Sequence, residues 1–186
     1  MKIIDHPEIS RVDLARMFNR CEYTKGAEIG TYRGDYAFTL CRANPQATIY
    51  CIDPWQVYPE YKDTTDQDEM TAHEQKAHER LKNFNNVVFI KEPSMQAVNR
   101  FKDGELDFVY IDANHEWPYV TQDIYHWARK VRPGGIVAGH DYIEEPLPNI
   151  HVKQALLGYM EAFGISPLYL IGRKDYNRTW YWIKSA

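Results

Sequence analysis

The sequence predicts an α/β protein in which helices cover both faces of a mostly parallel sheet. Apolar runs alternate with segments of helical periodicity along most of the 186 residues. This alternation is typical of parallel strands that are joined by helical crossovers. Two closely spaced apolar runs near the C-terminus, separated by a polar turn, indicate an antiparallel hairpin at the sheet edge. The expected architecture is therefore a three-layer sandwich with an antiparallel C-terminal hairpin.

The elements are expected in the following order. Strands are predicted near 26–30, 48–52, 87–91, 106–111 and 135–139, and the hairpin near 167–171 and 179–183. Helices are predicted near 11–19, 34–43, 68–83, 94–101, 118–130 and 152–163. Residues 1–186 are expected to form a single domain, with 1–24 as an N-terminal helical segment. The aromatic and acidic segment 54–68 fits no element, and is interpreted either as a plain surface loop or as a loop that closes over a ligand.

Composition and charge limit the classes of function. The formal net charge is −4, from 22 basic and 26 acidic side chains, and no block of lysine or arginine indicates binding to nucleic acid or to an anionic membrane. No run reaches the roughly 20 apolar residues of a membrane span. The expected partner is a small molecule, and the oligomeric state stays open, a homodimer included. Cys21, Cys41 and Cys51 lack Cys-x-x-Cys spacing and predict reduced, buried thiols in a cytoplasmic protein.

The most informative motif is the turn Glu28–Gly34 after the first buried strand. Gly30 permits a sharp turn and a close approach of a ligand, and the helix that follows offers unpaired N–H groups. Asp53 lies 19 residues beyond Gly34, at the end of the next strand, where a carboxylate can accept both hydroxyls of a ribose. Tyr32 stands where a dinucleotide fingerprint has its middle glycine, which favours a ligand without closely held phosphates. A glycine turn alone would only connect a strand to a helix, but Glu28 and Asp53 favour a nucleoside site.

The ordered set of motifs resembles class I S-adenosylmethionine-dependent methyltransferases, and within them the small catechol-type and sugar-type O-methyltransferases. The resemblance rests on Glu28–Gly34, Asp53 and the segments 92–96, 109–115 and 131–142. It implies a Rossmann-like fold with a seven-stranded sheet, S-adenosylmethionine as methyl donor, and a hydroxyl of a sugar or phenol as acceptor. The donor contacts are expected at Glu28, Gly30, Tyr32, Gly34, Asp53, Ser94 and Asp112. Ser94 matches a serine beside the adenine in catechol-type relatives, and a helix N-cap is its competing role.

A metal site is expected at the ends of two strands. Asp112 and Asp141 each follow an apolar strand, so both carboxylates should lie at the same sheet edge. In catechol-type relatives an aspartate matching Asp112 and an adjacent pair matching His140 and Asp141 hold Mg²⁺. The resemblance therefore implies a divalent ion bound by Asp112, His140 and Asp141. The histidine in this set makes Mn²⁺, Fe²⁺ or Zn²⁺ alternatives to Mg²⁺. In the alternative without a metal, Asp141 caps a turn and His140 only forms hydrogen bonds.

Methyl transfer to a hydroxyl also requires a route for the acceptor's proton, either a general base or a metal. His140 and His115 are the candidate bases. His115 lies where catechol-type relatives carry a lysine, and a capping or adenine-packing role is its alternative.

Two other functions remain open at this point. A nicotinamide-dependent oxidoreductase would use the same fold and Asp53, but Tyr32 at the middle glycine position argues against it. A non-catalytic module that keeps the cofactor pocket would lack an acceptor site, so Asp112, His140 and Asp141 argue against it.

Overall fold

The computed structural model describes residues 1–58, 66–145, 147–173 and 177–185. Its strands are β1 (Ile3–His6), β2 (Lys25–Ile29), β3 (Thr48–Ile52), β4 (Val87–Ile90), β5 (Leu106–Ile111), β6 (Val131–Tyr142), β7 (Leu168–Ile171) and β8 (Arg178–Ile183). Its α-helices are α1 (Arg11–Arg20), α2 (Asp35–Ala43), α3 (Gln67–Leu81), α4 (Ser94–Ala97), α5 (Trp117–Lys130) and α6 (Val152–Ala162), with a 3₁₀ turn at Val98–Arg100. The strands form one sheet in the order β1-β7-β8-β6-β5-β2-β3-β4.

The predicted Rossmann-like sheet with a reversed C-terminal hairpin is confirmed. Strands β2 to β6 pair in parallel, and β8 runs antiparallel to both β6 and β7. The expected count of seven strands is wrong, because β1 pairs in parallel with β7 and makes an eighth. The segment 1–24 therefore contains a strand as well as α1. β1 was not predicted because its four residues alternate between exposed and half-buried at the sheet edge, and carry little apolar pattern.

The core lies on both faces of the sheet, as a three-layer sandwich requires. All six residues of β5 are buried, and their side chains alternate between the two layers. Phe108 and Tyr110 pack in the cluster that contains residues of α1, α2 and the end of α3, whereas Val109 and Ile111 pack with α4, α5 and α6.

The parallel strands bring the predicted functional residues to one edge. The loops after β2, β3 and β5 are tied together there: the Gly30 N–H donates to the Ile52 carbonyl at 2.9 Å, and the Asp112 N–H donates to the Ile29 carbonyl at 2.8 Å. β2 lies between β3 and β5, where the order of the strands reverses, and open α/β sheets bind ligands at such a point.

Three further expectations concern the periphery. Cys21, Cys41 and Cys51 are free, but the predicted burial is wrong for Cys21, which is exposed at the end of α1. No helix among the described residues is long and apolar enough to cross a membrane. Residues 59–65 of the segment 54–68, and residues 174–176 of the turn between β7 and β8, lie outside the described residues.

Candidate functional site

A cavity of about 410 Å³ opens at the carboxyl ends of β2, β3 and β5. Among the residues predicted to contact the donor, its lining includes Glu28, Gly30, Tyr32, Asp53 and Asp112. Gly34 and Ser94 lie outside this lining. Gly34 instead precedes α2 as its N-cap in a left-handed conformation, with φ +74°, and a side chain there would lie 3.2 Å from Ala77 Cα of α3.

Gly30 brings the loops after β2 and β5 into contact. Its φ is +90°, and a Cβ atom at this position would lie 2.1 Å from the backbone oxygen of Asp112. No side chain fits there, so glycine is required both by the backbone conformation and by the close approach of the two loops.

Asp53 organises the floor of the cavity through its carboxylate. Oδ2 accepts a hydrogen bond from the Tyr32 N–H and Oδ1 accepts one from the Trp55 N–H, each at 2.8 Å. Both donors belong to residues with positive φ, +51° for Tyr32 and +44° for Trp55, which non-glycine residues rarely adopt. Burial raises the pKa of Asp53, and these two backbone hydrogen bonds oppose the shift. The carboxylate thus holds two strained turns while it lines the cavity.

Glu28 is a buried acid with unused hydrogen-bonding capacity. It is 2% exposed, and its Oε2 atom has no hydrogen-bond partner among the described residues. The neighbouring Thr31 Oγ1 also lacks one within the part of the chain that the structure describes. Burial, reinforced by the charges of Asp112 and Asp53, raises the pKa of Glu28 well above its ordinary value. Because both residues line the cavity, these atoms are suited to a polar ligand.

Asp112, His115 and Asp141 form a cluster in which one ligand atom from each residue lies within 4.8 Å of the others. His115 Nε2 is 2.9 Å from Asp141 Oδ2 and 3.5 Å from Asp112 Oδ1. Burial disfavours a charged His115, but the two carboxylates outweigh this effect and raise its pKa to about 10. Burial would raise the pKa of Asp141, yet hydrogen bonds from His115 and His140 hold it below its ordinary value. Two carboxylates and an imidazole at this spacing suit a divalent cation.

His140, the third ligand predicted from the sequence, is not in this cluster, and His115 takes that position. The reason is the end of β6, where Asp141 has φ +58° and the pairing with β8 is irregular between Gly139 and Tyr142. This kink directs Asp141 toward the loop after β5, while His140 Nδ1 remains 3.4 Å from Asp141 Oδ2. The sequence signal for His115 as a ligand is its place three residues after Asp112, which was interpreted as the position of a base or of a capping or adenine-packing residue.

Ser94 directs its hydroxyl toward α5. Its Oγ donates to Asp123 Oδ1 and accepts a hydrogen bond from Trp127 Nε1 at 2.7 Å. The N-cap alternative for Ser94 is wrong, because Pro93 occupies that position and no side chain caps α4. A contact between Ser94 and the donor stays a prediction.

Among the residues of the site that the sequence did not predict, three make contacts that matter for its geometry. Arg11 of α1 lines the cavity, Asn114 also lines it and donates from Nδ2 to the Tyr58 hydroxyl at 3.2 Å, and Asn177 donates from Nδ2 to Asp141 Oδ1. Only Asn114 lies within a recognised motif. The other two reach the site through tertiary packing and carry no local signal.

The fold and this site define an S-adenosylmethionine-dependent methyltransferase. Residues 27–142 match the family described as a methyltransferase domain, and the chain belongs to that family. The predicted resemblance to class I enzymes is thereby confirmed, and the family decides against the nicotinamide-dependent oxidoreductase. No curated protein sequence matches the chain.

Solved structures with the same fold include two O-methyltransferases. TomG from Streptomyces achromogenes, solved with S-adenosylmethionine, is 16% identical, with a TM-score of 0.67 over 96% of this chain and 82% of TomG. The Bacillus cereus O-methyltransferase, solved with S-adenosylhomocysteine, is 14% identical, with a TM-score of 0.65 over 96% of this chain and 83% of its own. At these identities the likeness establishes the fold.

Proposed function

We propose that the protein transfers a methyl group from S-adenosylmethionine to a hydroxyl of a small molecule, a sugar or a phenol, assisted by a divalent cation at Asp112, His115 and Asp141. One observation carries the proposal. Asp112 and His115 belong both to the cluster of potential metal ligands and to the lining of the cavity that contains Gly30 and Asp53. A donor in the cavity and an acceptor at the cluster would therefore be neighbours, and such positioning is the main requirement of methyl transfer.

The donor's nucleoside fits the residues at the β3 side of the cavity. Each carboxylate oxygen of Asp53 accepts one backbone hydrogen bond and keeps further acceptor capacity for a ribose hydroxyl. Gly30 lines the same cavity, and its φ of +90° lets the chain turn there between β2 and α2. The fold is also that of TomG and of the Bacillus cereus enzyme, which were solved with S-adenosylmethionine and S-adenosylhomocysteine respectively.

The metal-ligating side chains of the cluster favour Mn²⁺ over Mg²⁺, because an imidazole accompanies the two carboxylates. A bound divalent cation supplies a Lewis acid that lowers the pKa of an acceptor hydroxyl. His115 must release its proton when it becomes a ligand, so it cannot also serve as the base. His140 is then the candidate base: its Nδ1 faces Asp141, and Nε2 on the other side of the ring is the atom that would take the acceptor's proton.

The proposal is tested by binding and turnover measured on the same preparation. Calorimetry measures S-adenosylhomocysteine binding, and transfer from isotope-labelled S-adenosylmethionine to a panel of catechols and sugars is measured after chelation and after adding Mn²⁺ or Mg²⁺. Asp112→Asn should abolish metal-dependent transfer, whereas Asp103→Asn, an exposed carboxylate paired with Arg129 and Lys130 outside the cavity, should leave it unchanged.

The outcomes separate the parts of the proposal. Failure to bind S-adenosylhomocysteine contradicts the donor assignment. Transfer that survives exhaustive chelation contradicts the metal. Tight donor binding without transfer to any hydroxyl favours the non-catalytic module.

A further inference from the structure

The end of β6 carries a bulge at Asp141. Gly139 pairs with Trp180 and Tyr142 pairs with Arg178, so two residues of β6 lie opposite one residue of β8. Asp141 is the second of these two residues, and its φ is +58°. Bulges are common next to active sites, where they redirect a side chain. The side chain redirected here is a carboxylate of the proposed metal site.

The two oxygens of the Asp141 carboxylate have different neighbours. Oδ2 lies 2.9 Å from His115 Nε2 and 3.4 Å from His140 Nδ1, so it faces the two histidines. Oδ1 instead accepts a hydrogen bond from Asn177 Nδ2. Because an ionised carboxylate can only accept hydrogen bonds, the amide nitrogen of Asn177, and not its oxygen, must face it. The hydrogen bond from Asn177 therefore distinguishes the oxygen that lies away from the cluster from the one that faces it.

This hydrogen bond restrains a soft rotation of the Asp141 side chain. The torsion that orients the carboxylate of an aspartate has broad energy wells, unlike the torsions between tetrahedral carbons. A carboxylate that is held in one orientation needs less ordering when an ion binds. Hydrogen bonds to ligating carboxylates accordingly influence metal affinity, by roughly 10- to 100-fold where they have been removed.

The residue that follows Asn177 is firmly held. The buried Arg178 side chain pairs with Asp5 of β1 and donates from Nε to the Gly172 carbonyl at 3.1 Å. Its backbone pairs with Tyr142 of β6. The start of β8 is thus tied to β1, to β6 and to the turn after β7. Although Asn177 is exposed, its backbone begins at a fixed point next to the bulge.

We propose that Asn177 is a positioning residue of the metal site, whose amide holds Oδ1 of Asp141 so that Oδ2 is presented to a divalent cation together with Asp112 and His115. The inference rests on the proposed function, because it requires a cation at this cluster. It gives the segment before β8, which none of the sequence motifs includes, a role in metal affinity.

The test measures Mn²⁺ binding to the full chain by electron paramagnetic resonance, for the wild type, Asn177→Ala and Asn177→Gln. Asn99→Ala is the matched control. Asn99 is also exposed and lies outside the cavity lining, and its amide donates to the Met95 carbonyl at 3.0 Å. S-adenosylhomocysteine binding, measured by calorimetry without metal, reports whether each variant keeps a folded cavity.

Asn177→Ala should weaken Mn²⁺ binding on the order of tenfold, because Asp141 loses the partner that orients it. S-adenosylhomocysteine affinity should change by less than about twofold, since Asn177 lies outside the cavity lining. Asn177→Gln should recover part of the Mn²⁺ affinity, because its longer side chain still carries an amide donor. At saturating Mn²⁺, labelled methyl transfer by Asn177→Ala should return close to the wild-type rate, because only the occupancy of the metal site has changed.

The inference is overturned if Asn177→Ala binds Mn²⁺ with wild-type affinity, whether or not turnover falls. It is also overturned if Asn99→Ala loses as much Mn²⁺ affinity, or if S-adenosylhomocysteine binding falls in parallel, which would indicate general damage to the fold. A wild type that binds S-adenosylhomocysteine but no Mn²⁺ would contradict the metal of the proposed function, and the role of Asn177 with it.

Discussion

His115 Nε2 lies 2.9 Å from Asp141 Oδ2, and this contact joins the loop after β5 to the end of β6. Asp112 Oδ1 lies 3.5 Å from the same nitrogen. The two carboxylates repel each other unless a positive charge lies between them. A protonated imidazole and a divalent cation are therefore alternative partners for the same pair of aspartates.

The choice between His115 and His140 as metal ligand gives the first prediction. His115→Gln should weaken Mn²⁺ binding by at least roughly 10- to 100-fold, because a ligand atom is lost. His140→Gln should retain the ion and lose turnover, because only the candidate base is removed. Mn²⁺ titration followed by electron paramagnetic resonance measures the first effect, and labelled methyl transfer measures the second. Loss of the ion in His140→Gln would restore His140 as the ligand.

The contact between Gly30 and Asp112 gives a second prediction, for which the chain contains a matched control. Gly30 and Gly172 both have φ +90°, but a Cβ atom at Gly172 would meet nothing within 4 Å among the described residues. Gly172→Ala should cost about 1–2 kcal/mol of unfolding free energy from backbone strain alone. Gly30→Ala should cost about 1–3 kcal/mol more and abolish donor binding, because the loops after β2 and β5 must separate. Urea unfolding measures both, and equal losses would contradict the steric argument.

The central part of the site was predictable because the strands that carry it are strongly apolar. β5 is buried along its whole length, and the predicted strands 26–30 and 48–52 match β2 and β3 closely. Once the sheet is parallel, its geometry brings the residues after these strands to one edge. Gly30, Asp53 and Asp112 follow from that geometry.

The parts that the sequence did not predict depend on contacts between distant segments. β1 becomes a strand only by pairing with β7, and the buried Arg178 side chain of β8 pairs with Asp5 in β1. Arg11 reaches the cavity because α1 packs on the sheet, which no local pattern indicates. The preference for His115 over His140 depends on the positive φ of Asp141. Because aspartate rarely adopts a positive φ, this conformation could not be predicted from the sequence.

Asp53 combines a structural role with its expected role toward the ribose. Asp53→Asn should reduce donor affinity on the order of tenfold and the unfolding free energy by about 1–3 kcal/mol. The amide nitrogen that replaces one carboxylate oxygen accepts no hydrogen bond, so one of the two backbone N–H groups loses its partner. Asp35→Asn is the control, because Asp35 also lines the cavity but is exposed and pairs with Arg80. Calorimetry measures the donor affinity of the two variants, and thermal unfolding measures their stability. An Asp53→Asn protein with wild-type donor affinity would rule out the ribose contact.

The buried Asp123, which accepts a hydrogen bond from Ser94, predicts a pH-dependent stability. Asp123 is 3% exposed, and burial raises its pKa from 3.8 to about 7. Between these values the folded protein retains a proton that the unfolded chain releases. The stabilisation is therefore complete below the lower pKa and is lost as the pH rises through about 7, at a slope of up to about 1.4 kcal/mol per pH unit.

Asp123→Asn should remove this slope, because an amide keeps the shape of the carboxyl group and can still accept the Ser94 hydrogen bond through its oxygen. At pH 8 the wild type has lost about 4 kcal/mol of unfolding free energy relative to low pH. The Asp123→Asn variant should avoid this loss, apart from the packing cost of the substitution itself. Urea unfolding at intervals from about pH 5 to 8 measures the difference between variant and wild type. Asp103→Asn changes an exposed carboxylate and should run parallel to the wild type. If the Asp123→Asn curve also runs parallel, Asp123 is ionised throughout this range and the Ser94 hydroxyl donates to a buried carboxylate.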